Sequence, residues 1–203
     1  MNAVNHIAYF SSGQILWAQA NSPTGVSPVT ISGATSVECT DQDVLTALHP
    51  PTGTVPYWNG TQVVSSPTSP GDSYIWDWPT KTWKLDLPTG QAVAWARIKA
   101  ARDAAINAGV TYNGNVYDSD ATAQLRVTGA AQTAQLQIAA GNTTFSITWT
   151  LQNNSTVTLT AQQVIDMALA ISANYQTNFA KAQSLRAQIM AATTQAQLDA
   201  IVW

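Results

Sequence analysis

The sequence predicts an α+β protein: a β-rich N-terminal part of short antiparallel strands and hairpins, followed by a mainly helical C-terminal domain with small β-hairpins. Three observations carry this. All nine prolines lie between Pro23 and Pro88. Residues 1–80 contain no Lys or Arg but hold Glu38, Asp41, Asp43, Asp72 and Asp77 among many Thr, Ser and Val, the composition of strands and loops. The remainder is rich in Ala and Gln, with no proline after Pro88, which reads as helix. The asymmetries place a boundary at residue 88, giving a Pro-punctuated domain 1–88 and a helical domain 89–203.

In the first domain, Ile7-Ala8-Tyr9-Phe10 and Ile15-Leu16-Trp17 flank Ser11-Ser12-Gly13-Gln14, a hairpin signal. Val26 to Ile31 and Thr35 to Cys39 are further short strands. Asp41 is the expected cap of a helical turn carrying Val44, Leu45 and Leu48. Val55 to Trp58 and Gln62 to Val64 flank Asn59-Gly60, a pair suited to the positive φ angles of a two-residue hairpin turn. Ser65 to Asp72 reads as an exposed linker and the first site of proteolytic nicking.

An aromatic hairpin follows over residues 74–87. Tyr74, Trp76 and Trp78 share one face of a strand, and Trp83, Leu85 and Leu87 one face of its partner. Such a ladder serves cross-strand core packing or stacks sugars or bases. Tyr74, Trp76, Trp78 and Trp83, with Trp203 at the far end, are therefore the candidate interaction or core aromatics.

In the second domain, a helix should run from Gln91 to Ala108 and stop at Gly109, with Trp95, Ile98, Arg102 and Ile106 on one stripe and Lys99 paired to Asp103. Thr111 to Tyr117 is a hairpin turning at Asn113-Gly114. Asp118 or Ser119 then caps a helix ending at Gly141, with Gly129 marking a close helix crossing. Phe145, Ile147, Trp149 and Leu151 alternate with polar residues as a one-sided strand, so burial of Trp149 predicts a loss of about 3–5 kcal/mol on truncation to Ala. Gln152 to Ser155 turns this strand into Thr156 to Leu159. Thr160 with Gln163, and Thr194 with Gln197, have the form of capping boxes for a long helix and a short last one. The apolar end Ile201-Val202-Trp203 should dock on its own fold or on a neighbour.

The 203 residues are only 9% charged yet 45% apolar, with net charge −3. Such a chain expects neighbours over much of its surface, and it lacks the basic footprint of a nucleic-acid binder. No apolar run approaches a membrane span, and Met1 to His6 does not read as a signal peptide. His6 and His49 have no partner at metal-ligand spacing. The pairs Asp41/Asp43 and Asp118/Asp120 lack a calcium-loop pattern and read as caps or solvated loops. Cys39, beside Glu38, has no cation to activate it and reads as a structural thiol. No catalytic, cofactor-binding or metal-binding residue is assigned, and the protein is not expected to be an enzyme.

Over about Trp95 to Trp203, the pieces Ile98 to Gly109, Tyr112-Asn113-Gly114, Asp118-Ser119-Asp120, Trp149-Thr150, Asn154 to Leu159 and Ala191 to Trp203 occur in order. This region resembles a domain of unknown function found widely in tail-region genes of bacteriophages and prophages. Tyr74 to Leu87 followed by Arg97-Ile98-Lys99-Ala100-Ala101-Arg102-Asp103 is similar to phage tail-fibre assembly proteins, without their charged, shorter C-terminal ending. The resemblance implies a phage context and a tail. With the low charge and the Thr/Ser/Ala/Gln composition, the expectation is a structural protein made in the host cytoplasm and placed in the virion tail, at the tail tip, baseplate or fibre attachment. Its partners there would be other tail proteins and copies of itself, without nucleic acid or a membrane span. Two alternatives stand beside this: an assembly chaperone that leaves the particle, and a carbohydrate-binding module for host attachment on the Trp76/Trp78/Trp83 face.

Overall fold

The computed structural model describes residues 3–23 and 30–203. Antiparallel strands and hairpins come first and a mainly helical region follows, so the architecture is α+β. The chain divides into two compact units, Met1–Gly90 and Gln91–Trp203.

Unit 1 opens with the strands β1 (Ala3–Phe10), β2 (Ile15–Pro23) and β3 (Ala34–Cys39), arranged in the order β2-β1-β3 and antiparallel throughout. Residues 26–29 of the expected strand Val26 to Ile31 lie outside the described residues, and Thr30 and Ile31 are not in a strand. The middle strand is covered on both faces, so Asn5, His6, Ile7 and Ala8 are all buried. Helix α1 (Asp41–Leu48) is capped by Thr40 rather than Asp41. The Thr40 hydroxyl accepts the Asp43 N–H at 3.1 Å, and Asp43 accepts the Thr40 N–H at 2.8 Å. This is a capping box with the shorter Asp in place of Glu or Gln.

Strands β4 (Pro56–Trp58) and β5 (Val63–Ser65) form the next hairpin. The turn is a four-residue loop instead of the expected Asn-Gly pair. Gly60 has positive φ, but Asn59 does not, because its carboxamide oxygen is used to accept the N–H groups of Thr61 and Gln62. Ile7, Trp58 and Val63 form the buried centre of unit 1, with Tyr9, Ile15, Val37 and Cys39 packed around them. Asp43 ties α1 to this hairpin by accepting the Val63 N–H at 2.6 Å. Burial opposes its charge. The hydrogen bonds from Thr40 and Val63 outweigh that cost and hold the carboxyl below the usual carboxylate range.

Ser65 to Asp72 is not the loose linker that its composition suggests. Ser66 is buried and exchanges hydrogen bonds with the Val55 backbone, at 2.9 Å each way. Ser69 N–H donates to the Gly53 carbonyl at 2.7 Å, and the Trp83 indole N–H donates to the Pro67 carbonyl at 2.8 Å. Backbone held this way resists proteolysis despite its Pro-Ser-Gly content.

Cys39 is partly shielded at the end of β3. Burial, with the charges of Asp43 and Asp41 nearby, pushes its thiol up to about 11 from 9.0. At pH 8 that lowers the thiolate population about a hundredfold, while the more basic thiolate regains roughly tenfold in nucleophilicity. We expect a disulfide reagent at pH 8 to label Cys39 about tenfold more slowly in the native protein than in urea. Equal rates would show a free, unshielded thiol.

Strands β6 (Tyr74–Asp77) and β7 (Thr82–Leu85) complete unit 1, with Trp76 directly opposite Trp83. Leu87 does not continue this strand. It begins α2 (Leu87–Asn107), which therefore starts before the expected Gln91. Pro88 is tolerated because the first-turn N–H groups have no partner within a helix. The Thr89 hydroxyl donates to the Asp86 carboxylate just ahead of the helix.

In unit 2, strands β8 (Val110–Tyr112) and β9 (Asn115–Tyr117) turn through Asn113 and Gly114, both at positive φ. Helix α3 (Ala121–Ala139) is capped by Asp120, which accepts the Ala123 N–H at 2.7 Å. Neither Asp118 nor Ser119 is the cap. Ser119 is buried instead, donating to the Ile106 carbonyl at 2.5 Å and accepting the Gly109 N–H at 3.0 Å. It thereby closes the end of α2. The expected Lys99–Asp103 pair gives way to Arg102–Asp103 at 2.7 Å.

Strands β10 (Ser146–Thr150) and β11 (Thr156–Thr160) pair with Trp149 opposite Val157. The long helix α4 (Ala161–Ala191) and the short α5 (Gln195–Ala200) both begin in the predicted capping boxes. Tyr117, Val127, Leu159, Val164 and Met167 form the centre of the core. Trp149 packs only partly against that core and is half-buried, contrary to the burial its alternation implied. Gly129 marks no close crossing: a Cβ there would meet nothing within 4 Å.

Candidate interaction surfaces

The aromatic hairpin of unit 1 gathers around Trp76. Its ring centroid lies 5.3 Å from Trp83, 5.7 Å from Tyr57 and 6.5 Å from Trp78, the last nearly perpendicular at 88°. These tilted and edge-on arrangements suit ring quadrupoles. Trp76 is buried, and Tyr74, Trp78 and Trp83 are half-buried. Lys81, which no sequence pattern marks, is central here. The turn holds it at φ 56°, and its ammonium lies 5.2 Å from the Tyr57 ring centre and 5.4 Å from that of Trp78. That nitrogen is buried without a hydrogen-bond acceptor, and burial pushes it below the usual lysine range. On the other face of the hairpin, Lys84 pairs with Asp77 at 3.0 Å.

Trp203 belongs to unit 2. Lys181 lies 4.4 Å from its ring centre, while Leu198 and Ile201 are buried beneath the chain end. Arg97 donates to the carbonyls of Leu198 and Ile201 at 2.9 Å each, fastening the end of α5 as a cationic C-terminal cap. The apolar terminus is thus docked on its own unit, and only Val202 projects, 65% exposed.

Two other features of unit 2 remain open. The first is the outer face of α3, where Leu125 and Leu136 are 76% and 71% exposed. Eleven residues apart on a helix, they fall on one stripe. Arg126 is the only charged residue of α3, a helix of 19 residues. The second is a groove of about 610 Å³ between α3 and β10, lined by Asp118, Arg126, Gly129, Thr133, Trp149 and Asn154 among others. Among the described residues no group of three or more His, Cys, Asp or Glu is placed to hold a metal, and no helix is long and apolar enough to cross a membrane.

Residues 89–202 match a family described as a domain of unknown function, DUF4376. The chain belongs to this family. The DUF4376 region begins inside α2 and takes in the docked terminus, the α3 stripe and the groove, while the aromatic hairpin precedes it. No curated protein and no solved structure matches the chain.

Proposed function

We propose that this protein is a non-enzymatic structural component of a bacteriophage tail. It stands at the tail tip, baseplate or fibre attachment, in contact with other tail proteins and with copies of itself. The observation that carries the reading is the outer stripe of α3. Two leucines more than 70% exposed on a nearly uncharged helix cost solubility in a free monomer. Covering each removes apolar surface worth about 1.5–3 kcal/mol. The residue pattern from Ile98 to Trp203 that resembles phage tail-region genes supplies the context. Cyclic tail symmetry lets one such patch serve every copy. The charge balance supports protein partners over nucleic acid.

The second reading is a tail-fibre assembly chaperone, favoured by the Tyr74–Leu85 hairpin running directly into α2. The hairpin's rings support packing over a glycan platform, because Trp76 is buried and Lys81 lies over Trp78. Mass spectrometry of gradient-purified particles separates the first two readings. A tail component co-purifies with the particle, and a chaperone stays in the lysate.

A further inference from the structure

We infer that the groove between α3 and β10 is a binding site for a neutral saccharide. The inference stands apart from the tail proposal, because it rests only on side chains that the fold leaves unused. Among the described residues of unit 2, Arg97, Arg102, Asp103, Asp120, Asp166, Lys181, Arg186 and Asp199 each have a hydrogen-bond, ion-pair or ring partner. Only Lys99, Asp118 and Arg126 have none, and two of these three line the same groove. The tryptophans of unit 2 divide in the same way. Arg186 lies over Trp95 and Lys181 over Trp203, while Trp149 has neither a ring nor a cation against it and borders the groove. The Asn154 carboxamide, which also lines the groove, has no hydrogen-bond partner either.

Gly129 lines the groove, and a Cβ at that position meets nothing within 4 Å, so a larger side chain has room to enter there. The volume of about 610 Å³ lies within the range of small-ligand sites. The chemistry selects the class of ligand. An indole face accepts an apolar ring surface, and the C–H face of a pyranose is one. A carboxylate accepts hydroxyl protons, a guanidinium donates to hydroxyl oxygens, and a carboxamide does both. Asp118 and Arg126 carry opposite charges, so the groove has no net charge with which to select an anion or a cation. A neutral polyol satisfies all four groups at once.

The test uses the full chain and the indole N–H resonances of its tryptophans, with Trp149 assigned by its disappearance in Trp149→Phe. The probes are neutral oligosaccharides of glucose, galactose and N-acetylglucosamine at millimolar concentration, chosen after a glycan array. At least one should shift the Trp149 resonance saturably and leave those of Trp95 and Trp203 in place. Gly129→Leu fills the groove from an open helical position and should abolish the shift with the fold intact. Arg126→Ala and Asp118→Asn should each weaken binding about tenfold. The inference is overturned if no neutral sugar moves the Trp149 resonance, if the shift survives Gly129→Leu, or if only a charged glycan or a peptide produces it.

Discussion

Gly13→Ala should destabilise unit 1 by about 3–5 kcal/mol, combining the cost of a left-handed alanine with that of overpacking. Gly13 turns β1 into β2 at φ +85°. Its carbonyl also accepts the Trp58 N–H at 2.9 Å, so the turn joins the first sheet to the β4–β5 hairpin. A Cβ there would lie 2.5 Å from the Trp58 carbonyl oxygen, a backbone atom with no rotamer to relieve it. Relief requires the hairpin to move away, and that exposes Ile7, Trp58 and Val63. Urea titration with far-ultraviolet circular dichroism measures the loss. A cost below about 1 kcal/mol, within the range of ordinary surface changes, would mean that the two hairpins are not joined at this turn.

The second large effect is a contrast within one hairpin of unit 2. Leu159→Ala should cost about 3–4 kcal/mol, because a fully enclosed side chain leaves a cavity when it is removed. Leu159 is 2% exposed and lies opposite Ile147. Trp149→Ala, two residues beyond Ile147 on β10, should cost only about 1–2 kcal/mol, since much of the indole already faces the groove. This reverses the ranking by side-chain size. Equal or larger losses at Trp149 would mean that the indole is core and the groove is closed in solution.

The elements that the sequence predicts well are those decided by neighbouring residues. The boxes Thr160/Gln163 and Thr194/Gln197, the turn at Asn113-Gly114 and the alternation from Phe145 to Leu151 each need only local chemistry. The misreadings have local causes too. Thr40 escapes the capping-box pattern because its partner is Asp43 rather than Glu or Gln. Pro88 and Gly90 read as breakers and put the expected start of α2 at Gln91, but both lie in its first turn. Asn59 used its side chain where a positive φ was expected.

The groove was hidden for a different reason. Alternation tells which face of β10 carries Trp149 but not how completely another element covers it. Gly129, twenty residues earlier on a helix, lines the same groove. Asp118, Arg126, Trp149 and Asn154 converge only in three dimensions, and the single local sign, Gly129, equally suits a helix crossing. The aromatic hairpin was legible as a ladder, but the placement of Lys81 over its rings depends on a left-handed turn residue that no pattern marks.

The measurement that bears most directly on the tail assignment is quantitative mass spectrometry of gradient-purified phage particles beside the lysate they came from. As a tail component, the protein should appear in the particle fraction, in several copies per tail, and be retained through a high-salt wash because apolar contacts rather than surface charges hold it. Its recovery in the lysate alone, with none in the particles, would contradict the assignment and make the protein a chaperone.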